Sequence, residues 1–139
     1  FGSLHANTGA ETITRLINPP MDVPPIMLTG LDLIIIQARL HVKGKTARKI
    51  VEVSEVAGME GDKPRLNPIW KYNAETDQIE ETGIPSKMKE TICKAAGCNP
   101  ATFEQHVQQR MGILNDLVER DISDIGTVTQ VIQGFYSSR

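Results

Sequence analysis

The fold of this 139-residue chain depends most on the stretch DLIIIQARLHV, residues 32–42. Its isoleucine and valine residues favour a β-strand, because branched side chains pack well on a pleated surface. The turn sequence KGK follows at residues 43–45. Residues 46–56 then alternate between two faces, as a half-buried strand does. The sequence therefore predicts a long β-hairpin.

A second, smaller hairpin is predicted downstream of the first. Glycine and charged residues from Gly58 to Arg65 indicate a loop between the two. The strand-like segments 67–72 and 78–82 then flank a turn at residues 73–77. The strands are thus expected to form two hairpins joined by a loop.

A short helix is predicted before the hairpins. Residues 8–11, TGAE, have the spacing of a capping box, in which Thr8 accepts a bond from the first turn and Glu11 reaches back. Residues 18–20, NPP, end the helix, because proline lacks an N–H group and restricts the residue before it. The helix is expected to span about two and a half turns. Residues 26–31 predict one further short helical turn.

The rest of the chain is predicted to form a small helical bundle. A helix over residues 86–96 ends at Gly97, which favours the left-handed conformation. Asn99 and Pro100 then supply the cap and the first residue of the next helix. Ser123 is expected to cap the last helix. The middle helix has an apolar stripe at helical spacing, formed by Phe103, Val107, Met111, Leu114 and Val118.

Together these elements predict an α+β fold: a short helix, two β-hairpins and a C-terminal bundle of about three helices. The 15 basic and 17 acidic residues give a net charge of −2, so the chain offers no broad positive surface for nucleic acid. The longest apolar stretch, residues 31–38, is far shorter than the roughly 20 residues of a membrane-spanning helix. The first residues contain neither a Met nor a signal peptide, so we expect a fragment of a longer cytosolic protein.

Two features that suggest a ligand site are discounted. The tripeptide GKT, residues 44–46, copies the end of a phosphate-binding loop, but position 39 is arginine where that loop needs glycine. It also joins two predicted strands, so we interpret it as a hairpin turn. Cys93 and Cys98 lie near His106 but lack a fourth ligand, so we expect two reduced thiols and no metal site.

The segment GSLHANT, residues 2–8, places His5 and Asn7 directly before the helix that carries Arg15. A histidine at the end of a strand either meets a polar ligand or bonds nearby backbone as a structural residue. Asn7 either forms a hydrogen bond beside His5 or caps the helix. Arg15 either contacts a phosphate or a neighbouring subunit, or is a solvated helix arginine. The residue types alone leave these interpretations open.

These segments, in this order, resemble a known family over almost the whole chain. LHANT, residues 4–8, looks like the His box of the secretion ATPase superfamily, the motors of type II and type IV secretion, pili and archaella. Residues 15–24 resemble a connection seen especially in archaeal members, including the archaellum motor ATPase. The strand segments 31–37 and 48–56 and the helical segment 110–136 are also similar to the family's.

The resemblance implies that residues 1–139 are the C-terminal part of a RecA-like α/β P-loop ATPase domain. Residues 1–83 would form its His-box and hairpin region, and residues 84–139 its C-terminal helical region. The implied parent is a hexamer that binds ATP and Mg²⁺ and couples hydrolysis to protein secretion or filament assembly. It would be cytoplasmic, peripheral at the cytoplasmic face of the membrane, and would contact an inner-membrane platform protein but no nucleic acid.

The same resemblance implies roles for three residues. His5 would be the catalytic residue that approaches the γ-phosphate or the attacking water. Asn7 and Arg15 would bind nucleotide or a neighbouring subunit. The Walker A loop, the aspartate-rich box and Walker B precede the His box in the family and are absent from this sequence. We therefore expect this chain alone to hold no nucleotide and to hydrolyse no ATP.

Two other functions compete with this one. The hairpins and the helical tail could form a self-contained protein–protein interaction module. The last two helices could instead form a DNA-binding helix-turn-helix. Their polar faces disfavour DNA because they carry the acidic residues Glu104, Asp116, Glu119 and Asp121.

Overall fold

The computed structural model of the protein describes residues 2–42 and 44–137. The chain forms two compact units, Phe1–Met88 and Lys89–Arg139. The predicted α+β class is confirmed, since an antiparallel sheet and several helices are present. The elements, numbered in chain order, are α1 (Gly9–Ile17), a 3₁₀ helix (Pro25–Gly30), β1 (Leu33–Val42), β2 (Lys45–Glu60), β3 (Lys63–Asn73), β4 (Gln78–Glu81), α2 (Lys87–Ala96), α3 (Pro100–Glu119) and α4 (Ile125–Ser137).

Helix α1 begins and ends where the sequence predicts. The hydroxyl oxygen of Thr8 accepts a hydrogen bond of 3.0 Å from the backbone N–H of Glu11, which satisfies one of the free donors of the first turn. The backbone N–H of Asn18 closes the last turn on Thr14. The helix buries Ile13 against the sheet.

The four strands form one antiparallel sheet in the order β1-β2-β3-β4. Strand β1 pairs with β2 from Leu33 opposite Glu55 to Val42 opposite Lys45. Gly44 lies in the connection with a φ of 77°, a left-handed conformation that glycine adopts without strain. Residues 44–46 are therefore confirmed as part of a hairpin and not of a phosphate-binding loop; Lys43, the first residue of the predicted turn, lies outside the described residues.

The predicted loop from Gly58 to Arg65 is wrong. Strand β2 continues to Glu60 and β3 begins at Lys63, so only a tight turn separates them. Gly61 occupies this turn with a φ of 60°, and Gly58, with a φ of 116°, lies where the pairing register shifts. Glycine at such angles forms a bulge and a turn without ending the pairing. The two predicted hairpins are therefore joined into one continuous meander.

The core of the first unit lies on one face of the sheet. Ile34 and Ile36 of β1 are 7% and 5% exposed, whereas Ile35 between them is 57% exposed. Helix α1 and the 3₁₀ helix cover the buried face with Ile13 and Leu28. The alternation along β1 thus determines which side of the sheet is covered.

The opposite face of the sheet holds a buried carboxylate. Glu55 is only 2% exposed and accepts hydrogen bonds from the hydroxyl of Ser86 and from the backbone N–H groups of Lys87 (2.7 Å) and Met88 (3.2 Å). These N–H groups open the first turn of α2, where a negative charge is favourable. All four residues belong to the first unit. The bonds compensate the cost of burying a charged side chain.

The helices of the second unit confirm most of the predicted boundaries. Gly97 ends α2 with a φ of 62°, and the Asn99 side chain caps α3 through a 2.8 Å bond to the backbone N–H of Thr102. The prediction that Ser123 caps the last helix is wrong. Asp124 caps it instead, because its carboxylate accepts the N–H and the hydroxyl of Thr127, each at 2.8 Å. The hydrogen bond from the backbone N–H of Thr127 is the largest cause that lowers the pKa of Asp124.

The apolar stripe of α3 is less buried than its spacing suggests. Leu117 is 5% exposed, whereas Leu114 and Val118 of the predicted stripe are 55% and 78% exposed.

Over residues 2–42 and 44–137, none of the helices combines the length and the apolar character that crossing a membrane requires.

We predict that Glu55→Ala lowers the free energy of unfolding of the first unit by about 2 to 4 kcal/mol, because three donors lose their acceptor in a buried site. Urea denaturation followed by the fluorescence of Trp70 on β3 measures this change. The matched control is Glu60→Ala on the same strand, where the side chain is exposed and the change should stay within about 0.5 kcal/mol. Equal denaturation midpoints for the two variants would contradict the prediction.

Candidate functional site

The predicted site residues lie in and directly before helix α1. Residues 2–6 form no regular secondary structure, and that His5 follows a strand stays a prediction. Its position depends on the loop and on the helix that the loop enters. His5 is exposed, so its imidazole is accessible to a ligand.

The carboxylate of Glu11 connects the other two predicted residues. One oxygen, Oε2, accepts the backbone N–H of Asn7 at 2.8 Å and its side-chain amide at 3.1 Å. The other, Oε1, accepts the guanidinium of Arg15 through Nε at 2.8 Å and through a terminal nitrogen at 2.7 Å. The structure therefore links Asn7 and Arg15 through the carboxylate of Glu11.

This arrangement decides one of the two interpretations of Asn7. The helix cap is Thr8, as the capping box predicts, so the alternative interpretation in which Asn7 caps the helix is wrong. Glu11 does reach back, as a capping box requires, but to Asn7 and not to the capping residue itself. Asn7 is thus held by both its backbone and its side chain.

Arg15 forms an ion pair with Glu11 four residues earlier, and its side chain is 52% exposed. An exposed pair at this spacing contributes little to stability, because solvent screens both charges. The guanidinium can therefore exchange Glu11 for another anion at small cost. This geometry is compatible with a phosphate or a neighbouring carboxylate as the second partner.

A second carboxylate approaches the start of α1 from the sheet. Oε1 of Glu52 on β2 accepts the backbone N–H of Gly9 at 3.1 Å and the hydroxyl of Ser54 at 2.6 Å. Gly9 is buried, and a Cβ atom placed on it would lie only 2.6 Å from that oxygen. The sequence offers no local signal for this contact, since Gly9 and Glu52 are 43 residues apart.

The described residues contain no group of three or more His, Cys, Asp or Glu side chains arranged to hold a metal ion. Cys93 and Cys98 are free thiols. Burial is the largest cause that raises the pKa of Cys93, followed by its hydrogen bond with Cys98. Cys93 is therefore a weak nucleophile at neutral pH.

The electrostatics of the site centre on Glu11. The backbone hydrogen bond from Asn7 is the largest cause that lowers the pKa of Glu11 below its ordinary value of 4.5, and the bond from Arg15 is the next. A lowered pKa in the folded state means that the ionised form stabilises the fold at neutral pH. This stabilisation is lost as the pH falls below 4.5 and through the folded pKa.

We predict that Glu11→Gln reduces the loss of thermal stability on acidification, because the substituted side chain has no proton to take up in that range. Melting temperatures measured from neutral pH down to about pH 3 test this. Arg15→Gln should keep most of the wild-type pH dependence, since the larger cause, the Asn7 bond, remains. Parallel pH profiles for wild type and Glu11→Gln would show that this carboxylate does not contribute.

No family model matches the chain. It is 35% identical over 136 residues to uncharacterized protein MJ0781 of Methanocaldococcus jannaschii, a match that covers 96% of this chain and 19% of the relative. It is 27% identical over 141 residues to uncharacterized protein MJ0900 of the same organism, covering 98% and 26%, and 28% identical over 119 residues to uncharacterized protein MJ1287, covering 84% and 44%. The chain thus spans less than half of the length of each of these archaeal relatives.

Proposed function

We propose that this chain is the C-terminal part of a RecA-like P-loop ATPase domain of the secretion ATPase superfamily. Its parent would be a hexamer that couples ATP hydrolysis to protein secretion or filament assembly. The observation that carries the proposal is the order of groups around the start of α1. An exposed His5 is followed at once by Asn7, which Glu11 links to the cation of Arg15.

The chemistry of these groups suits the end of a triphosphate. An imidazole donates a hydrogen bond to a γ-phosphate oxygen or orients an attacking water. A guanidinium that leaves the half-buried carboxylate of Glu11 adds a positive charge where phosphate oxygens become more negative. His5 would then be the catalytic residue, and Asn7 and Arg15 would contact nucleotide or the neighbouring subunit.

The nucleotide and Mg²⁺ would be held mainly by the rest of the parent. Residues 44–46 form part of a β-hairpin, so they provide no phosphate cradle, and this chain alone should not hydrolyse ATP. The archaeal relatives extend well beyond the matched region, which leaves room for a Walker A loop and Walker B. The parent would work at the cytoplasmic face of the membrane on an inner-membrane platform protein, without nucleic acid.

A second candidate function, a protein–protein interaction module, is favoured by the surface of the second unit. Helix α4 carries no charged side chain along Ile125–Ser137, and Ile125 is 78% exposed. Val118 at the end of α3 is exposed to the same extent. Exposed apolar side chains on two successive helices favour contact with another protein. In a motor ATPase the same surface would contact neighbouring subunits. The two functions therefore differ in whether the parent hydrolyses ATP with the help of His5.

We predict that His5→Ala in the full-length parent lowers the turnover number for ATP by about 100-fold or more, because a group that moves protons or positions water typically contributes that much. The affinity for ATP should change less than about threefold, since the phosphate cradle lies elsewhere. Steady-state ATPase assays and equilibrium binding of a fluorescent ATP analogue measure the two quantities.

The matched control is His41→Ala, which removes an exposed histidine of β1 and should leave turnover unchanged. The 139-residue chain by itself should show no ATPase activity. A parent without ATPase activity would contradict the motor function and favour the interaction module. Full activity in His5→Ala would contradict the catalytic role of His5.

A further inference from the structure

The loop that carries His5 is held at its junction with α1. Residues 2–6 lack regular structure, and the loop that they form enters the helix through Asn7 and Thr8. Glu11 holds Asn7 from within the helix, through two hydrogen bonds. Glu52 holds Gly9, two residues further along, from the sheet. The junction is therefore fixed by carboxylates on two different elements.

The position of Glu52 is itself well determined. It pairs with Ile36 and Ser54 pairs with Ile34, so both side chains project from the core face of the sheet. Ser54 is fully buried, and its hydroxyl donates to the Glu52 carboxylate at 2.6 Å. A buried hydroxyl needs an acceptor, and this hydrogen bond orients the Glu52 carboxylate. Oε1 is thereby aimed at the start of α1.

Gly9 makes the close approach possible. A Cβ atom there would meet Glu52 Oε1 at 2.6 Å, Leu66 Cδ1 at 3.3 Å and Ser54 Oγ at 3.4 Å. The first of these distances is too short for a carbon and an oxygen that are not bonded. A side chain at position 9 would therefore displace the Glu52 carboxylate from its present position.

Resting on the proposed function, we infer that Glu52 and Ser54 are positioning residues for His5. Ser54 orients the Glu52 carboxylate, and the carboxylate fixes the first backbone N–H of α1. This N–H then directs the loop so that the imidazole meets the γ-phosphate or water. A negative charge at this end of a helix is favourable, which stabilises the contact between Glu52 and α1.

Kinetics of the full-length parent test this role. Glu52→Ala should lower the turnover number about 10- to 100-fold and change the KM for ATP less than about threefold, because His5 is misplaced while nucleotide binding is kept. Glu52→Gln should restore turnover to within about threefold of wild type, since an amide oxygen accepts the same two hydrogen bonds. Ser54→Ala should reproduce the loss more weakly, and it replaces Glu52→Ala if that variant does not fold.

The double variant His5→Ala/Glu52→Ala separates positioning from general damage. If Glu52 acts through His5, the double variant should be no slower than His5→Ala alone. The control is Leu28→Ala, which opens a cavity in the same core without touching the junction. A loss of turnover caused by Leu28→Ala should multiply with the loss caused by His5→Ala. The melting temperature of Leu28→Ala should fall at least as far as that of Glu52→Ala.

The outcomes distinguish the two proposals. A parent without ATPase activity overturns the proposed function. Normal turnover in His5→Ala overturns the catalytic role of His5 and the positioning role with it. A slow His5→Ala combined with a normal Glu52→Ala overturns the positioning role alone. So does a multiplicative loss in the double variant, or a Glu52→Ala whose turnover and KM change together as its melting temperature falls. A slow Glu52→Ala with unchanged KM, rescued by Gln and silent in the His5→Ala background, supports the positioning role.

Discussion

The pairing of β1 with β2 is the constraint on which the rest of the first unit depends. Because Ile34 and Ile36 face the core, their partners Ser54 and Glu52 face it as well. That face is the one covered by α1, so the polar pair of β2 lies beneath the start of the helix. One apolar alternation thus builds the core and also places a carboxylate where the functional loop begins.

The start of α1 combines contacts of two ranges. Thr8 accepts the N–H of Glu11 in the first turn, and the Glu11 carboxylate accepts the N–H of Asn7 just before the helix, as they would in an isolated peptide. Glu52 satisfies the N–H of Gly9 from a strand far away in the sequence. The local contacts determine that a helix begins at this point of the sequence. The distant contact with Glu52 determines where the start of the helix lies relative to the sheet. A catalytic group needs both, because its geometry is relative to the whole domain.

What could be predicted from the sequence was local. The cap at Thr8 follows from short spacing, and β1 follows from its branched side chains. Gly58 was misleading because glycine marks a loop and a bulge equally well, and only the partner strand distinguishes them. The bond between Gly9 and Glu52 could not be predicted, since neither residue is unusual in its own segment. The fold class was therefore predictable, but the support of the candidate site was not.

Strand β2 carries Glu52 and Glu55 three positions apart, and they point to opposite faces of the sheet. A slip of one residue against β1 would exchange the two faces. Glu55 would then enter the apolar core beside Ile13, and the donors that Glu55 satisfies at Lys87 and Met88 would lose their acceptor. Misregistered chains would therefore bury an unmatched charge during folding. The two glutamates thus favour a single pairing register of β2 against β1.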